Sequence, residues 1–333
     1  MNVAILGVGA FAIALAKVLD RRDHAVTVWC HDEALGLKIS KSRRSEYLPG
    51  IPLSKKIEVT HDLKKAVSNR PIVVCVVASS FVRSTIKAAL PFLDPRVTIV
   101  NGAKGIEMET LETLEQIYGE VLSPEISRRV VFLSGPTFAK ELATEHPTSA
   151  VVASRDPESA ALIQREFSME YFRLYTSDDV IGVELGGTLK NVYAIGAGIS
   201  DGLGFGHNTR AALITRGLDE MTRLGVKLGA KAETFSGLAG LGDLVLTCAG
   251  DLSRNRHVGL ALGRGRKLHD ILAEMKSVAE GVKTAKALHQ LAAKAGVEMP
   301  IAEAIYRVLY EGKEARQALQ ELMTRELRPE RRL

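Results

Sequence analysis

The sequence predicts an α/β domain, a mostly parallel sheet with helices on both faces, followed by an all-α domain. Three observations carry this expectation. Short runs near the amino end are continuously apolar rather than alternating, as in strands covered on both faces, and helical stretches separate them. From Val180 onward strand patterns stop and helical periodicity runs almost to the end. The 333 residues exceed what one core usually organises, so two domains are expected, 1–176 and 177–333.

Residues 2–6 read as a buried strand. The run Gly7-Val8-Gly9-Ala10-Phe11-Ala12 follows, then a helix through Leu15, Ala16 and Leu19 and a second strand at Val26–Trp29, which together make a βαβ unit. Further strands are expected at 72–77, 97–100 and 130–133, with helices at 62–68, 80–90 and 109–118. Strands at 149–153 and 171–175 extend the sheet and bracket a helix starting near Asp156. Thr176-Ser177-Asp178-Asp179 is a cluster of N-cap residues that opens the helical region. Helices are expected there at 209–224, 229–235, 255–263, 267–275, 280–295, 300–311 and 314–323, with Gly237–Gly242 as a loop between them.

Hydrophobic residues at 46% and charged residues at 25% are globular proportions, so the chain is expected to fold throughout. The net charge of +5 is partly held in a solvated tail, Arg325, Arg328, Arg331 and Arg332. Elsewhere acids and bases alternate, which argues against nucleic acid and suits an anionic small molecule, such as a phosphorylated substrate. Cys30, Cys75 and Cys248 lie far apart, so neither a disulfide framework nor a cysteine metal site is expected, and a reducing compartment follows. Met1 leads straight into an apolar strand with no basic leader, and no run approaches the roughly 20 apolar residues of a membrane span. The cytoplasm is the expected location. His207, His257 and His289 have no partners at ligand spacing and G-x-S-x-G is absent, so neither a metal nor a nucleophilic serine is expected.

The G-x-G-x-x-A run gains meaning from its place between a strand and a helix. Gly7 permits the tight turn, Gly9 lets a pyrophosphate approach the backbone, and Ala12 allows close helix-strand packing. The helix start then offers free N–H groups and its dipole to the phosphates. A tight turn with no ligand would need the same glycines. After the second strand, where an acid would bond a ribose 2′-hydroxyl, stand His31 and Asp32. Asp32 lies far along, and His31 would face a 2′-phosphate or serve as a plain loop residue, so NAD and NADP both stay open.

Four clusters carry polar chemistry: Asn101–Gly105, Ser134–Glu141, Leu189-Lys190-Asn191, and Asp243 with Ser253-Arg254-Asn255. The first two follow strand ends, where ligands bind in open α/β sheets, so Lys104 and the Gly135–Thr137 loop would rim a crevice. Loop lysines taken alone are usually solvated. Lys190 is more informative, because Gly186 and Gly187 precede it within one helix at about 1 kcal/mol each against alanine, and something must need that space. A ligand lying over the two glycines would meet Lys190, beside a stripe of Ile181, Leu185, Leu189, Val192 and Ile199. A partly desolvated lysine exchanges protons near neutral pH, whereas a surface lysine beside packing glycines would explain the pattern blandly. Arg254 offers a rigid fork for phosphate and Asn255 further hydrogen bonds.

Together these clusters resemble the bacterial-type NAD(P)-dependent glycerol-3-phosphate dehydrogenases, nearly end to end through residue 323. The most specific parts are Gly135 to Glu141, Glu184 to Asn191, and Gly237 to Asp243 with Ser253-Arg254-Asn255. The resemblance implies a Rossmann-like first domain, a helical substrate domain, usually a homodimer, and reduction of dihydroxyacetone phosphate towards phospholipid precursors. It implies Lys190 as the proton-exchanging residue, with Lys104 beside it at the reacting oxygen. It also implies Gly135, Thr137, Asp243, Ser253, Arg254 and Asn255 for substrate, and Ala10, Phe11, His31, Lys104, Ala139, Arg254, Val278 and Glu280 for the coenzyme. Phe11-Ala12 departs from the usual aromatic-glycine pair, and Thr137 stands for a common serine. A hydroxyacid or ketopantoate dehydrogenase and a non-catalytic NAD(P)-binding sensor are the rival readings.

Overall fold

The computed structural model describes residues 1–275, 279–327 and 329–330. Eight strands form one sheet: β1 (Asn2–Leu6), β2 (Ala25–Trp29), β3 (Glu58–Thr60), β4 (Ile72–Cys75), β5 (Thr98–Asn101), β6 (Val131–Ser134), β7 (Thr148–Ser154) and β8 (Phe172–Ser177). Their spatial order is β3-β2-β1-β4-β5-β6-β7-β8. All neighbours pair in parallel except β6 and β7, which are antiparallel with Ser134 opposite Val151. The apolar runs end where the sheet needs them: Val3 to Leu6 and Ile72 to Cys75 are wholly buried because helices cover both faces.

Eight helices accompany the sheet: α1 (Ala10–Arg21), α2 (Glu33–Ser42), α3 (Leu63–Val67), α4 (Val82–Ala89), α5 (Leu114–Val121), α6 (Pro124–Arg128), α7 (Ala139–Ala143) and α8 (Pro157–Phe167). Among the described residues nine follow it: α9 (Val180–Gly202), α10 (His207–Lys227), α11 (Ala232–Phe235), α12 (Asp243–Ala249), α13 (Arg254–Gly263), α14 (Leu268–Glu274), α15 (Glu280–Ala295), α16 (Pro300–Tyr310) and α17 (Ala315–Met323). No single helix among the described residues is long and apolar enough to cross a membrane. Arg328, Arg331 and Arg332 of the basic tail lie outside the described residues.

Several sequence expectations need correction. The helix expected at 109–118 begins only at Leu114, because Thr113 forms a capping box with Gln116. The expected loop Gly237–Gly242 contains a turn of π-helix, Leu238–Gly242, that runs on into α12. β3 and α2 were not expected; both are polar enough to lack a clear apolar period.

α9 differs most from its expected form. Rather than burying one stripe, it is buried around nearly its whole circumference over Val180–Ser200, which makes it the axis of the molecule. Val180 and Val183 pack into the core on one sheet face, while Leu185, Leu189, Val192 and Ile195 pack into the helical core. Asp179 caps it, accepting from the N–H of Gly182, and the same carboxylate accepts from the N–H of Lys231 at 3.0 Å. α13 lies backbone to backbone against α9: a Cβ on Gly198 would stand 2.0 Å from the Arg256 carbonyl, and one on Gly259 1.9 Å from that of Ile195.

Candidate active site

The carboxyl ends of β5 and β6 meet the first half of α9, at Gly187 and Thr188. At the end of β1, Gly7 has φ +118, and a side chain there would press on the Val76 carbonyl at 3.0 Å. Only glycine suits that turn. Gly9 caps α1, and a Cβ on it would meet nothing within 4 Å. The open face of Gly9 and the unpaired N–H groups of the first turn of α1 fit a dinucleotide pyrophosphate. Phe11 packs against the next loop: a Cβ on Gly102 would stand 3.2 Å from its ring. Ala139 starts α7. His31 is exposed with its ring edge-on to Trp29, centroids 5.8 Å apart. Asp32 spends its carboxylate as the cap of α2, accepting from the N–H of Leu35 at 2.8 Å.

Lys104, in the loop after β5, donates from Nζ to the Leu133 carbonyl at 2.8 Å. Burial pushes its ammonium down to about 8, with Asp243 pulling it up and Lys190 pushing it down further. Lys190 projects from α9 and donates to Asp243 Oδ1. Asp243 itself is wholly buried at the start of α12, where Thr247 Oγ1 donates to its backbone carbonyl at 2.6 Å and to its Oδ1 at 3.4 Å. Burial raises the Asp243 carboxyl, against the pull of Lys190 and Lys104. Three charged groups from three segments thus converge where the strands end.

The glycine pair in α9 serves a different purpose from the one its sequence implied. The space above Gly186 is taken by the Ala239 carbonyl, 2.4 Å from where a Cβ would stand, and that above Gly187 by Ser134 and Lys104. Protein fills the thinned helix face; the ligand expected directly over the glycines has no room there.

Other contacts tie the sheet loops to the helices. The Gly105 N–H donates to Thr188 Oγ1 at 3.2 Å and the Ser79 N–H to Glu280 Oε1 at 3.3 Å. Glu184, six residues before Lys190, accepts from the N–H groups of Leu114 at 2.5 Å and Glu115 at 3.3 Å. Burial pushes the Glu184 carboxyl up to about 8 and also raises that of Glu280, which Arg254 and Lys104 draw back down.

Ser253 caps α13 through the N–H of Arg256. Asn255 donates to Asn191 Oδ1 at 3.0 Å and accepts from the Gly281 N–H at 3.0 Å, so its oxygen is committed to protein. Arg254 is exposed at the first turn of α13 and makes no hydrogen bond or ion pair among the described residues. Gly135 has φ +136, and Thr137 donates from Oγ1 to its carbonyl at 3.1 Å. Val278 lies outside the described residues. The sequence candidates did not include Glu184 or Ser134 by role; both sat inside quoted motifs, but nothing in a sequence marks which carboxylate or hydroxyl becomes buried. No group of three His, Cys, Asp or Glu suited to a metal ion occurs among the described residues.

Comparison with known proteins agrees with this arrangement. A chain from Geobacter sulfurreducens, named glycerol-3-phosphate dehydrogenase (NAD(P)+), is 53% identical over 331 residues, 99% of each chain. One of the same name from Myxococcus xanthus is 48% identical over 99% of each. The crystal structure of glycerol-3-phosphate dehydrogenase from Coxiella burnetii superposes with a TM-score of 0.92 at 38% identity, covering 97% of this chain and 99% of that one. A ketopantoate reductase from Ralstonia eutropha shares the fold alone, at 16% identity and a TM-score of 0.59 over 97% of this chain and 100% of that one. The patterns described as NAD-dependent glycerol-3-phosphate dehydrogenase N-terminus and C-terminus match residues 2–160 and 179–320. With both halves matched in order and relatives about 50% identical along nearly the whole chain, the chain belongs to the NAD-dependent glycerol-3-phosphate dehydrogenase family.

Proposed function

We propose that this chain is an NAD(P)-dependent oxidoreductase that interconverts sn-glycerol 3-phosphate and dihydroxyacetone phosphate, supplying glycerol 3-phosphate for phospholipid synthesis. The observation that carries the reading is the convergence of Lys190, Asp243 and Lys104 at the strand ends, on the same edge of the sheet as the open turn at Gly9. On this reading residues 1–176 hold the coenzyme and residues 177–333 the substrate. Gly7, Gly9, Ala10, Phe11, His31, Ala139 and Glu280 line the coenzyme side, with Arg254 and Lys104 shared between the two ligands. When bound, the nicotinamide gives a hydride to the substrate's second carbon or takes one from it.

The protein's part is orientation and charge. Lys190 Nζ gives a proton to the ketone oxygen in reduction and takes one from the hydroxyl in oxidation, and Asp243 fixes the direction in which that ammonium points. Lys104, cationic below about 8, polarises the same oxygen. Arg254, free of other partners among the described residues and set at a helix start, takes the phosphate, with Gly135, Thr137, Ser253 and Asn255 shaping the wall around it. A homodimer is the proposed assembly, to be read by light scattering on an eluting peak. The cytoplasm is the proposed location; the three buried, unpaired thiols of Cys30, Cys75 and Cys248 suit a reducing compartment.

Following nicotinamide absorbance with NADH or NADPH and dihydroxyacetone phosphate tests the activity, and silence with both coenzymes refutes it. Lys190→Ala should lower turnover by about 10²–10⁴-fold while coenzyme affinity, read by fluorescence titration, survives. Retained turnover would remove Lys190 from its role.

A further inference from the structure

Four side-chain atoms among the described residues are buried without a hydrogen-bond partner: Arg43 Nε, Ser134 Oγ, Ser200 Oγ and Asp243 Oδ2. Two of them belong to the site. Ser134 is the last residue of β6 and is 2% exposed. Its Oγ and the Nζ of Lys104 both stand against the bare face of Gly187, 2.2 and 2.7 Å from where a Cβ would be. They are not hydrogen-bonded to each other, and Lys104 donates to the Leu133 carbonyl. A buried hydroxyl left without a partner is costly, and native proteins keep few of them outside functional sites.

The substrate class named above has three polar groups. The phosphate is an anion and calls for a guanidinium. Negative charge develops on the oxygen of the reacting carbon, which calls for ammonium groups. The third group, the terminal hydroxyl, stays neutral in both directions of the reaction, and a neutral hydroxyl free to give or take a hydrogen bond suits it. Arg254 and the two lysines match the first two. For the third, a carboxylate such as Asp243 only accepts, whereas a serine hydroxyl does both.

We propose that Ser134 is a specificity-determining residue whose hydroxyl hydrogen-bonds the non-reacting terminal hydroxyl of the substrate. The assignment rests on the glycerol 3-phosphate reading. A site built to bond a hydroxyl discriminates against an analogue that lacks it, because the protein group is then left buried and unpaired.

The test compares kcat/KM for dihydroxyacetone phosphate with that for its 1-deoxy analogue, in which a methyl group replaces the hydroxymethyl group. Both ketones are measured with the unaltered chain, Ser134→Ala and Ser134→Cys. The unaltered chain should prefer dihydroxyacetone phosphate, and in both variants that preference should fall about tenfold, the rate equivalent of one neutral hydrogen bond. Neither variant should melt at a lower temperature, because each removes an unpaired polar atom rather than a contact. An equal loss on both ketones, or an unchanged preference, overturns the role of Ser134 while leaving the reaction standing. An unaltered chain that turns over neither ketone overturns the reaction and this assignment with it.

Discussion

The turn at Gly9 and the helix face at Gly186 and Gly187 use the same residue to opposite ends. Above Gly9 a side chain would meet nothing, whereas above the α9 pair it would meet the Ala239 carbonyl, Ser134 and Lys104. A glycine between a strand and a helix here keeps space open for a ligand. A glycine within a buried helix draws other parts of the protein inward, and so brings the loop after β5 and the end of β6 up to α9 beside Lys190. The sequence left the space over the glycine pair open to a ligand or to packing, and packing fills it.

Substitutions that restore the missing carbon atom test this contrast. Gly187→Ala should have the largest effect, because the new methyl displaces Lys104 Nζ and Ser134 Oγ. We expect kcat/KM to drop about 10²-fold, with coenzyme affinity retained, since small misplacements of reacting groups are costly. Gly9→Ala should do the reverse. Its φ of −64 suits alanine, so denaturant melts should stay within about 0.5 kcal/mol, while coenzyme binding, measured by titration, should weaken about tenfold or more. If Gly9→Ala instead unfolds the chain, the vacancy above it is structural.

A pH profile sharpens the same contrast at Lys104. Burial against the α9 face holds its ammonium near 8, so the cation is present below that value and lost above it. Ketone reduction should therefore fall as pH rises through about 8, and Lys104→Met should remove that inflection along with much of the rate. Stability moves the other way. An unfolded lysine still holds its proton between about 8 and 10.5, so the folded state gains over that interval as pH rises. The smallest effect is expected of Gly186→Ala. Overpacking against the Ala239 carbonyl costs about 1–3 kcal/mol and the gain in helix propensity returns about 1, leaving a net loss near 1 kcal/mol in denaturant melts.

The parts of the fold that were legible are those whose physics is local. Strands β1, β2, β4, β5 and β6 are mostly apolar runs, and the fingerprint turn follows from one strand, two glycines and one helix. The reversal at β7 was not legible, because an apolar run records burial and not direction. α2 and β3 were missed because their apolar residues are few, and α12 because the glycines before it read as a loop. Within the site, Lys190 stood out through its costly neighbours. Asp243 is 53 positions away, and only the folded chain shows its carboxylate on that ammonium. Val278 and Glu280 came from family resemblance alone. Glu280 has a visible anchor, the Ser79 N–H, that no spacing rule could supply.

α9 has a mechanical consequence. It enters the sheet's core through Val180 and Val183 and leaves as the spine of the helical core, with no break at the change of partner. The two lobes therefore share a rod rather than a hinge. Any tilt of the sheet is passed along that rod to the ammonium near its middle, so narrowing of the crevice must come from sliding of packed side chains or movement of the loops at its rim.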